Sequence, residues 1–298
     1  MTGAGPCPFC GGIPSLLFEI RDENRRASEM RFAYFKCRIC RAIFLADPPA
    51  DLGRYYDSAY YAIPSQRKLE AVANRDRNKI ETVLEFVGSG RLLEIGPAFG
   101  VFAWQAKKAG FVVDVIEMDT RCCDYLRRVV GVNVIRSDSP HEAMAALPQH
   151  EVIAAWHVLE HLRDPLAFLR AAAANLIDGG ILAIAVPNPE AWQFRVMGRR
   201  WPHLDAPRHL NLIPESLLSR IARELGLERL HLSSDDRDAR GWNHFGWQRF
   251  LMNRFASRFA QRILFVLGTA LALIAAPFDR RDFNGSAYTI LFRKTSSP

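Results

Sequence analysis

The chain has 298 residues, enough for one large domain with a small appendage, and 49% of them are hydrophobic, as in ordinary globular proteins. A formal charge of +7 is only moderately basic, and six cysteines in a chain of this size argue against a disulfide scaffold. The first residues do not have the apolar pattern of a secretory signal, so we expect a reducing, cytoplasmic setting.

The N-terminal segment contains two C-x-x-C pairs, Cys7 with Cys10 and Cys37 with Cys40, which are separated by 26 residues. Four thiolates on two tight turns form the ligand set that structural zinc prefers. Residues 15–20 and 31–36 are expected to be strands between the pairs. We therefore predict a zinc ribbon over 1–48, followed by a linker or lid over 49–73; a redox dithiol and an iron–sulfur cluster are the alternatives. With all four positions filled by thiolates, the metal would serve folding.

From residue 74 onwards, segments typical of strands alternate with segments typical of helices. The predicted strands are 91–95, 112–116, 132–135, 151–155, 181–186, 227–232 and 287–292. The predicted helices are 74–87, 101–110, 121–130, 165–176 and 214–225. This order predicts an α/β fold over 74–298, with a doubly wound, mostly parallel, seven-stranded Rossmann-like sheet.

The turn after the first of these strands contains Gly96 and Gly100, and the second strand ends at Glu117, about twenty residues later. Glycines let a ligand approach the backbone, and an acidic residue at that place can bind ribose hydroxyls, so the layout predicts an adenosine-containing ligand. Ala98 in place of the middle glycine and the carboxylate of Glu94 argue against a dinucleotide pyrophosphate. A carboxylate suits the amino group and sulfonium of S-adenosylmethionine, which we predict as the cofactor.

The chain resembles class I S-adenosylmethionine-dependent methyltransferases that act on small molecules. The runs that carry the resemblance are LLEIGPAFG at 92–100, VIEMD at 115–119, WHVLEHLRDP at 156–165 and DGGILAIAVPN at 178–188. Together they cover about residues 75 to 235. These runs are specific for the superfamily and say little about the acceptor.

The resemblance implies roles for individual residues at the carboxyl ends of the strands. Glu94 and the turn would hold the methionine part of the cofactor, Glu117 the ribose and Asp138 the adenine amino group. Ala98 fits this role if its φ is negative. The cofactor-binding residues expected in this way are Glu94, Gly96, Pro97, Ala98, Phe99, Gly100, Glu117, Met118, Asp138 and His157.

An oxygen or carbon acceptor needs a base, which is most often a histidine. We predict His209, in a proline-bounded loop after the fifth predicted strand, and His157, just past the fourth, as catalytic residues. His161 and His203 are further candidates, and hydrogen bonding at the start of a helix is the alternative for His161 and Glu160.

The order of zinc ribbon, methyltransferase domain and loop histidine resembles sugar C-methyltransferases, in which such a histidine is the base. Those enzymes also carry tyrosines before the domain, as this chain does at Tyr55, Tyr56, Tyr60 and Tyr61. Their Glu–His pair is an Arg–His pair here, at 208–209. A structural role for the loop histidine is the alternative.

An insertion at 235–284 precedes the last predicted strand. Arg254, Arg258 and Arg262 recur at helical spacing among phenylalanines, and 263–278 carry no charge. Sixteen residues of helix span about 24 Å, short of the roughly 30 Å hydrocarbon core. A basic stretch followed by an apolar helix is typical of a peripheral membrane surface segment, here 242–278. A helical pair packed on the domain, or a dimer interface, is the alternative.

The sequence thus favours a methyltransferase acting on a small-molecule acceptor, a sugar or a lipid-linked precursor, by C- or O-methylation. A nucleic-acid methyltransferase is the second hypothesis. The basic charge and the ribbon support it, but the chain lacks an Asn/Asp-Pro-Pro-Tyr-type tetrapeptide after the fourth predicted strand. A non-catalytic adaptor that binds the cofactor at a membrane surface is the third.

Overall fold

The computed structural model describes residues 5–56, 62–255 and 257–295. Its strands are β1 (Pro14–Ile20), β2 (Phe32–Cys37), β3 (Ile43–Leu45), β4 (Arg91–Ile95), β5 (Val112–Glu117), β6 (Asn133–Arg136), β7 (His150–Trp156), β8 (Leu176–Pro187), β9 (Asn211–Leu212), β10 (Leu227–Ser233) and β11 (Ala287–Lys294). Its α-helices are α1 (Gln66–Arg75), α2 (Asn78–Leu84), α3 (Val101–Lys108), α4 (Thr120–Tyr125), α5 (Pro140–Met144), α6 (Pro165–Asn175), α7 (Trp192–Met197), α8 (Glu215–Glu224), α9 (Arg237–Met252) and α10 (Arg258–Asp279).

A seven-stranded sheet forms the centre, in the order β10-β11-β8-β7-β4-β5-β6. The strands from β8 to β6 in this order pair in parallel, and β11 pairs antiparallel with both β8 and β10. The inner strands are buried on both faces, which explains their nearly continuous apolar sequences. The predicted α/β fold, with its seven strands, is confirmed.

A second, four-stranded sheet joins the N-terminal module to the rest of the chain, in the order β1-β2-β3-β9. The first three strands form the predicted ribbon, but β9 comes from the loop beyond the fifth predicted strand. Ile43 of β3 pairs with Leu212, and Phe44 pairs with Asn211. The ribbon therefore shares a sheet with the segment that follows His209.

Two predicted elements differ in extent. The single helix expected over 74–87 is interrupted between α1 and α2, because Asp76 leaves the helical conformation at φ −117° and ψ 82°. Helix α1 also begins inside the expected linker, where the Ser65 side chain caps it by accepting from the Lys68 N–H. Strand β8 begins several residues before the predicted 181–186 and includes Gly179, whose φ is +80°.

The insertion forms a helical hairpin of α9 and α10. Helix α10 has 22 residues and is about 33 Å long, so the expectation of a 16-residue helix too short for a bilayer was wrong. The described chain contains one segment, Phe259–Asp279, that length and composition alone would allow to cross a membrane, and 17% of its apolar window is buried. The two helices touch closely: a Cβ on Gly268 would lie 2.5 Å from the Gln248 Cα.

Candidate active site

The turn between β4 and α3 lies at the carboxyl edge of the sheet, at the centre of the site. Gly96 has φ +61°, and a Cβ there would lie 2.9 Å from a methyl group of Val158, so this position needs glycine. Ala98 has φ +52°. The expected negative φ at Ala98 is therefore wrong, and an alanine occupies the left-handed conformation that glycine prefers. The Ala98 N–H is held there by donating to the Glu117 carboxylate at 3.0 Å.

Glu94 lies beneath this turn and is 4% exposed. Burial raises the pKa of Glu94 to about 8, although the nearby charge of Lys79 opposes the shift. Its Oε2 accepts no hydrogen bond from any described residue. A buried acidic side chain with an unsatisfied oxygen fits a ligand that brings a cationic donor, such as the α-ammonium group of S-adenosylmethionine, which would favour its carboxylate form.

Glu117 ends β5 and lines the cleft next to Met118 and Asp138. Its Oε1 accepts from the N–H groups of Met118 and Asp119 at 2.8 Å each. Burial raises the pKa of Glu117, although these backbone donors oppose the shift. Each carboxylate oxygen has two lone pairs, so the donors from the chain leave room for a ribose hydroxyl.

His157 follows β7 in a left-handed conformation with φ +57°. Its Nε2 lies 2.7 Å from the Asp238 carboxylate of α9, and its Nδ1 lies 3.6 Å from Glu160. Desolvation lowers the pKa of His157, but the two carboxylates outweigh it and raise the pKa to about 9. Lys79 also contacts Asp238, at 3.0 Å. His157 is thus an imidazolium at neutral pH in this structure.

Glu160, His161 and His209 form a cluster in the same cleft, with one ligand-type atom of each within 4.8 Å of the others. Glu160 is 1% exposed, and neither of its oxygens has a hydrogen-bond partner among the described residues. Burial raises the pKa of Glu160, but the surrounding histidines outweigh it and lower the pKa, so the group is a carboxylate. Burial and the neighbouring His209 lower the pKa of His161 to about 4.

Backbone carbonyls fix the tautomers of both histidines. His209 Nδ1 donates to the His203 carbonyl at 2.7 Å, and His161 Nδ1 donates to the Arg208 carbonyl at 3.0 Å. A carbonyl only accepts, so each Nδ1 carries the proton and each neutral ring has its lone pair at Nε2. The cluster can accept a proton, and its donor set could also hold a metal ion.

One large cleft, about 1650 Å³ in volume, joins these groups. Another wall of the cleft is built by Trp242 and Phe245 of α9, by Asn24 of the N-terminal module and by Tyr56 of the linker. Of the predicted site residues, those that line the cleft are Gly96, Ala98, Glu117, Met118, Asp138, His157 and His209. Of the other four, Pro97, Phe99 and Gly100 belong to the turn and Glu94 lies beneath it. Tyr60 and Tyr61 lie outside the described residues.

The four predicted zinc ligands come together at the N-terminal module. Cys7 Sγ lies 3.5 Å from Cys40 Sγ, Cys10 Sγ lies 3.5 Å from Cys37 Sγ, and all four sulfurs lie within 4.8 Å of one another. Four thiols at this spacing can hold a structural zinc ion. Cys122 and Cys123 are buried on α4, away from this cluster, as packing residues.

Three further side chains at this site were not predicted from the sequence. Asp238 and Lys79 lie far from His157 in the chain and are placed beside it only by the fold of the insertion and of α2. Glu160 was weighed as a catalytic residue or a helix-start residue and is not among the predicted site residues. Its place between two histidines in an apolar run, HVLEHL at 157–162, is the signal that could have indicated a buried polar cluster.

The doubly wound sheet, the glycine turn and the paired acidic residues define an S-adenosylmethionine-dependent methyltransferase. Residues 65–232, more than half of the chain, match the family model described as a methyltransferase domain. The chain belongs to this methyltransferase family, and S-adenosylmethionine is its cofactor.

Two solved structures share the fold of this chain. An S-adenosylmethionine-dependent methyltransferase from Archaeoglobus fulgidus is similar over 80% of this chain and 100% of its own, with a TM-score of 0.51 and 18% identity. Phosphoethanolamine N-methyltransferase 2 of Haemonchus contortus, solved with S-adenosyl-L-methionine, is similar over 94% of this chain and 71% of its own, with a TM-score of 0.54 and 13% identity. At these identities, the likeness concerns the fold.

The sequence relatives include proteins named ubiquinone biosynthesis O-methyltransferase. The one from Bordetella avium is 27% identical over 50% of this chain and 68% of its own length. The one from Cereibacter sphaeroides is 26% identical over 62% of this chain and 76% of its own length. The match to the Nitrosospira multiformis protein, at 28% identity, spans 46% of this chain and 62% of that relative.

Proposed function

We propose that this enzyme methylates a hydroxyl oxygen of a small-molecule acceptor and that His209 is the base. The observation that carries the proposal is the tautomer of His209, whose Nδ1 donates to the His203 carbonyl at 2.7 Å. The free Nε2 belongs to a cleft that also holds the cofactor-binding turn. A histidine whose Nε2 can present a lone pair at such a position is suited to general base catalysis.

The chemistry requires few protein groups. The cofactor supplies the methyl group on a sulfonium and leaves as a thioether. His209 Nε2 would take the hydroxyl proton as the acceptor oxygen bonds to the methyl carbon and the carbon–sulfur bond breaks. The buried carboxylate of Glu160 stabilises the imidazolium that results, as the acidic partner of a histidine does in other enzymes. The remaining task of the cleft is alignment of the reacting atoms.

We assign His157 a positioning role in place of proton transfer. Both ring nitrogens of His157 face carboxylates, Asp238 at 2.7 Å and Glu160 at 3.6 Å. An imidazolium held in this way orients Glu160 toward His209 and attaches α9 to the sheet edge. It has no free lone pair with which to accept the proton of an acceptor.

The acceptor class that we propose is a lipid-linked hydroxyl compound. The relatives named above carry out O-methylation in the biosynthesis of ubiquinone, a lipid-soluble quinone. The cleft is walled by aromatic residues of α9, where Trp242 packs against His203 and Phe245. Aromatic walls suit a flat or apolar acceptor better than a polyanionic nucleic acid.

We further propose that the enzyme works in the cytoplasm, at the inner surface of a membrane, docked through the segment 242–278. Helix α10 exposes apolar side chains over its length, including Phe259, Val266 and Ile274, which are 74%, 66% and 72% exposed. The exposed Arg262 adds positive charge at the start of the helix. Because α10 packs on α9, a surface helix would place the mouth of the cleft close to lipid-borne acceptors.

To test this, the enzyme is incubated with S-adenosylmethionine that carries a tritiated methyl group. Three acceptors are compared: a farnesylated catechol, a nucleotide-linked keto sugar and bulk tRNA. We expect label in the catechol, at an oxygen, with at least a hundredfold loss of rate in His209→Gln. Label in the sugar or the tRNA, or full activity of His209→Gln, would contradict the proposal. If the activity depended on added Mg²⁺ or Mn²⁺, we would conclude that a metal ion held by Glu160, His161 and His209 activates the hydroxyl in place of the base.

A further inference from the structure

The N-terminal module contacts the loop that carries His209, at His209 itself and at the residue after it. The hydroxyl of Tyr34, on β2, donates to the backbone carbonyl of His209 at 2.6 Å, and Tyr34 is fully buried. The N–H of Leu45, on β3, donates to the carbonyl of Leu210 at 2.9 Å. Burial raises the pKa of Tyr34 well above its ordinary value, so the phenol remains a donor at every physiological pH.

A buried ion pair holds the residue before the base. The guanidinium of Arg208 donates to both oxygens of Asp22, at 2.7 and 3.1 Å, and to Asp205 at 2.8 Å. Arg208 and the Asp22 side chain are fully buried. Asp22 lies in the β1–β2 connection of the ribbon, so this contact joins residues 186 positions apart in the chain.

The same loop backbone sets the tautomers of the cluster. The Arg208 carbonyl accepts from His161 Nδ1, and the His203 carbonyl accepts from His209 Nδ1. A shift of this backbone would therefore move both imidazoles. The cofactor end of the cleft is built from β4, β5 and the turn at Gly96, none of which pairs with the ribbon.

We propose that the zinc ribbon is a positioning element for the base, acting through Tyr34 on His209 and through Asp22 on Arg208. This inference rests on the proposed function, because it needs His209 to be the base. In this role the ribbon controls the rate of methyl transfer and leaves the affinity for the cofactor unchanged. If the ribbon served only to complete the fold, a variant that weakened it would lower stability, methyl transfer and cofactor binding together.

The experiment compares Tyr34→Phe with Tyr288→Phe as a matched control. Tyr288 is also fully buried and also donates to a backbone carbonyl, that of Ile213, at 2.9 Å. Both variants lose one phenol-to-carbonyl hydrogen bond, but only Tyr34 holds the base. With the farnesylated catechol, we expect kcat to fall about tenfold in Tyr34→Phe, because small displacements of a catalytic group cost rate steeply. The KM for S-adenosylmethionine stays at the wild-type value, and Tyr288→Phe keeps the wild-type kcat.

A second readout requires no acceptor. Amide hydrogen exchange over residues 203–212 should be faster in Tyr34→Phe and in Asp22→Asn than in Tyr288→Phe, with exchange over 92–100 unchanged. Unaltered exchange at 203–212 in both ribbon variants, or an equal loss of kcat in the Tyr288 control, would overturn the positioning role. Full activity of His209→Gln would overturn the proposed function instead, so the two failures are distinguishable.

Discussion

His157 Nε2 lies 2.7 Å from Asp238 Oδ2, and this ion pair joins the end of β7 to the first turn of α9. Both side chains are largely buried, at 14% and 13% exposure. The contact fixes the insertion over the cofactor cleft, and at neutral pH it places a positive charge beside Glu160. Because that charge is lost at high pH, the contact also makes the stability of the domain depend on pH.

The first prediction concerns that pH dependence. The pKa of His157 is raised from 6.5 to about 9 in the folded protein, so the stabilisation from its protonation is complete below pH 6.5 and is lost as the pH rises through 9. Urea unfolding of the wild type and His157→Gln should differ by about 2 kcal/mol or more at pH 6. The difference should shrink as the pH approaches 10. A gap between the two proteins that stays constant with pH would disprove the ion pair.

The second prediction concerns the ribose-binding carboxylate. Glu117→Gln should weaken S-adenosylmethionine binding about tenfold or more in calorimetry, because an amide offers one acceptor oxygen where the carboxylate offers two. The control is Asp114→Asn, on the same strand, whose carboxylate pairs with Arg91 and His150. The control should lose stability and keep its affinity. Equal cofactor affinity in wild type and Glu117→Gln would contradict the assignment.

The cofactor-binding part of the cleft could be predicted because the residues that form it are close together in the chain. A strand, a glycine turn, a helix and a second strand follow one another within 92–117, and their order alone brings Gly96 and Glu117 to one edge of the sheet. The left-handed conformation of Ala98 was not predictable, since an alanine gives no sign of it. It depends on the Glu117 carboxylate, which accepts from the Ala98 N–H across nineteen positions.

The part of the cleft around His157 and His209 could be predicted only in part, because it is assembled from segments that are far apart in the chain. The pairing of β3 with β9 involves two residue pairs and carries no hydrophobic periodicity. Asp238 reaches His157 from the insertion, 81 positions later in the chain. His209 is predicted as a base from its loop, but its tautomer depends on a backbone carbonyl that only the fold places there.

The third prediction tests the zinc site. The wild type should contain one equivalent of zinc, and Cys37→Ser should lose it together with about 4 kcal/mol or more of unfolding free energy, as is usual when a bound metal is lost. Cys122→Ser is the control, since Cys122 is equally buried but lies outside the cluster. Undiminished zinc in Cys37→Ser, or an equal loss in the control, would rule out the four-thiolate site.

The fourth prediction tests the membrane surface. The intact protein should float with vesicles that contain phosphatidylserine. Replacing Leu273 and Ile274 together by Glu should weaken binding about tenfold or more, because burying each of these apolar side chains in the lipid surface contributes to the binding free energy. Ile39→Glu is the control: Ile39 is 69% exposed, but it lies on the ribbon. Absence of binding by the wild type, combined with a stable dimer in light scattering that the double variant disrupts, would assign α10 to a dimer interface.

The fifth prediction concerns a proton released by cofactor binding. Because burial raises the pKa of Glu94 to about 8, most Glu94 side chains are protonated at pH 7 in the cofactor-free protein. The ammonium group of S-adenosylmethionine favours the carboxylate, so binding at pH 7 should release up to about 0.9 proton from this residue. Calorimetry in buffers of different ionisation enthalpy measures that number. Glu94→Gln should bind more weakly and lack this release, whereas equal proton release in both proteins would place the titrating group elsewhere.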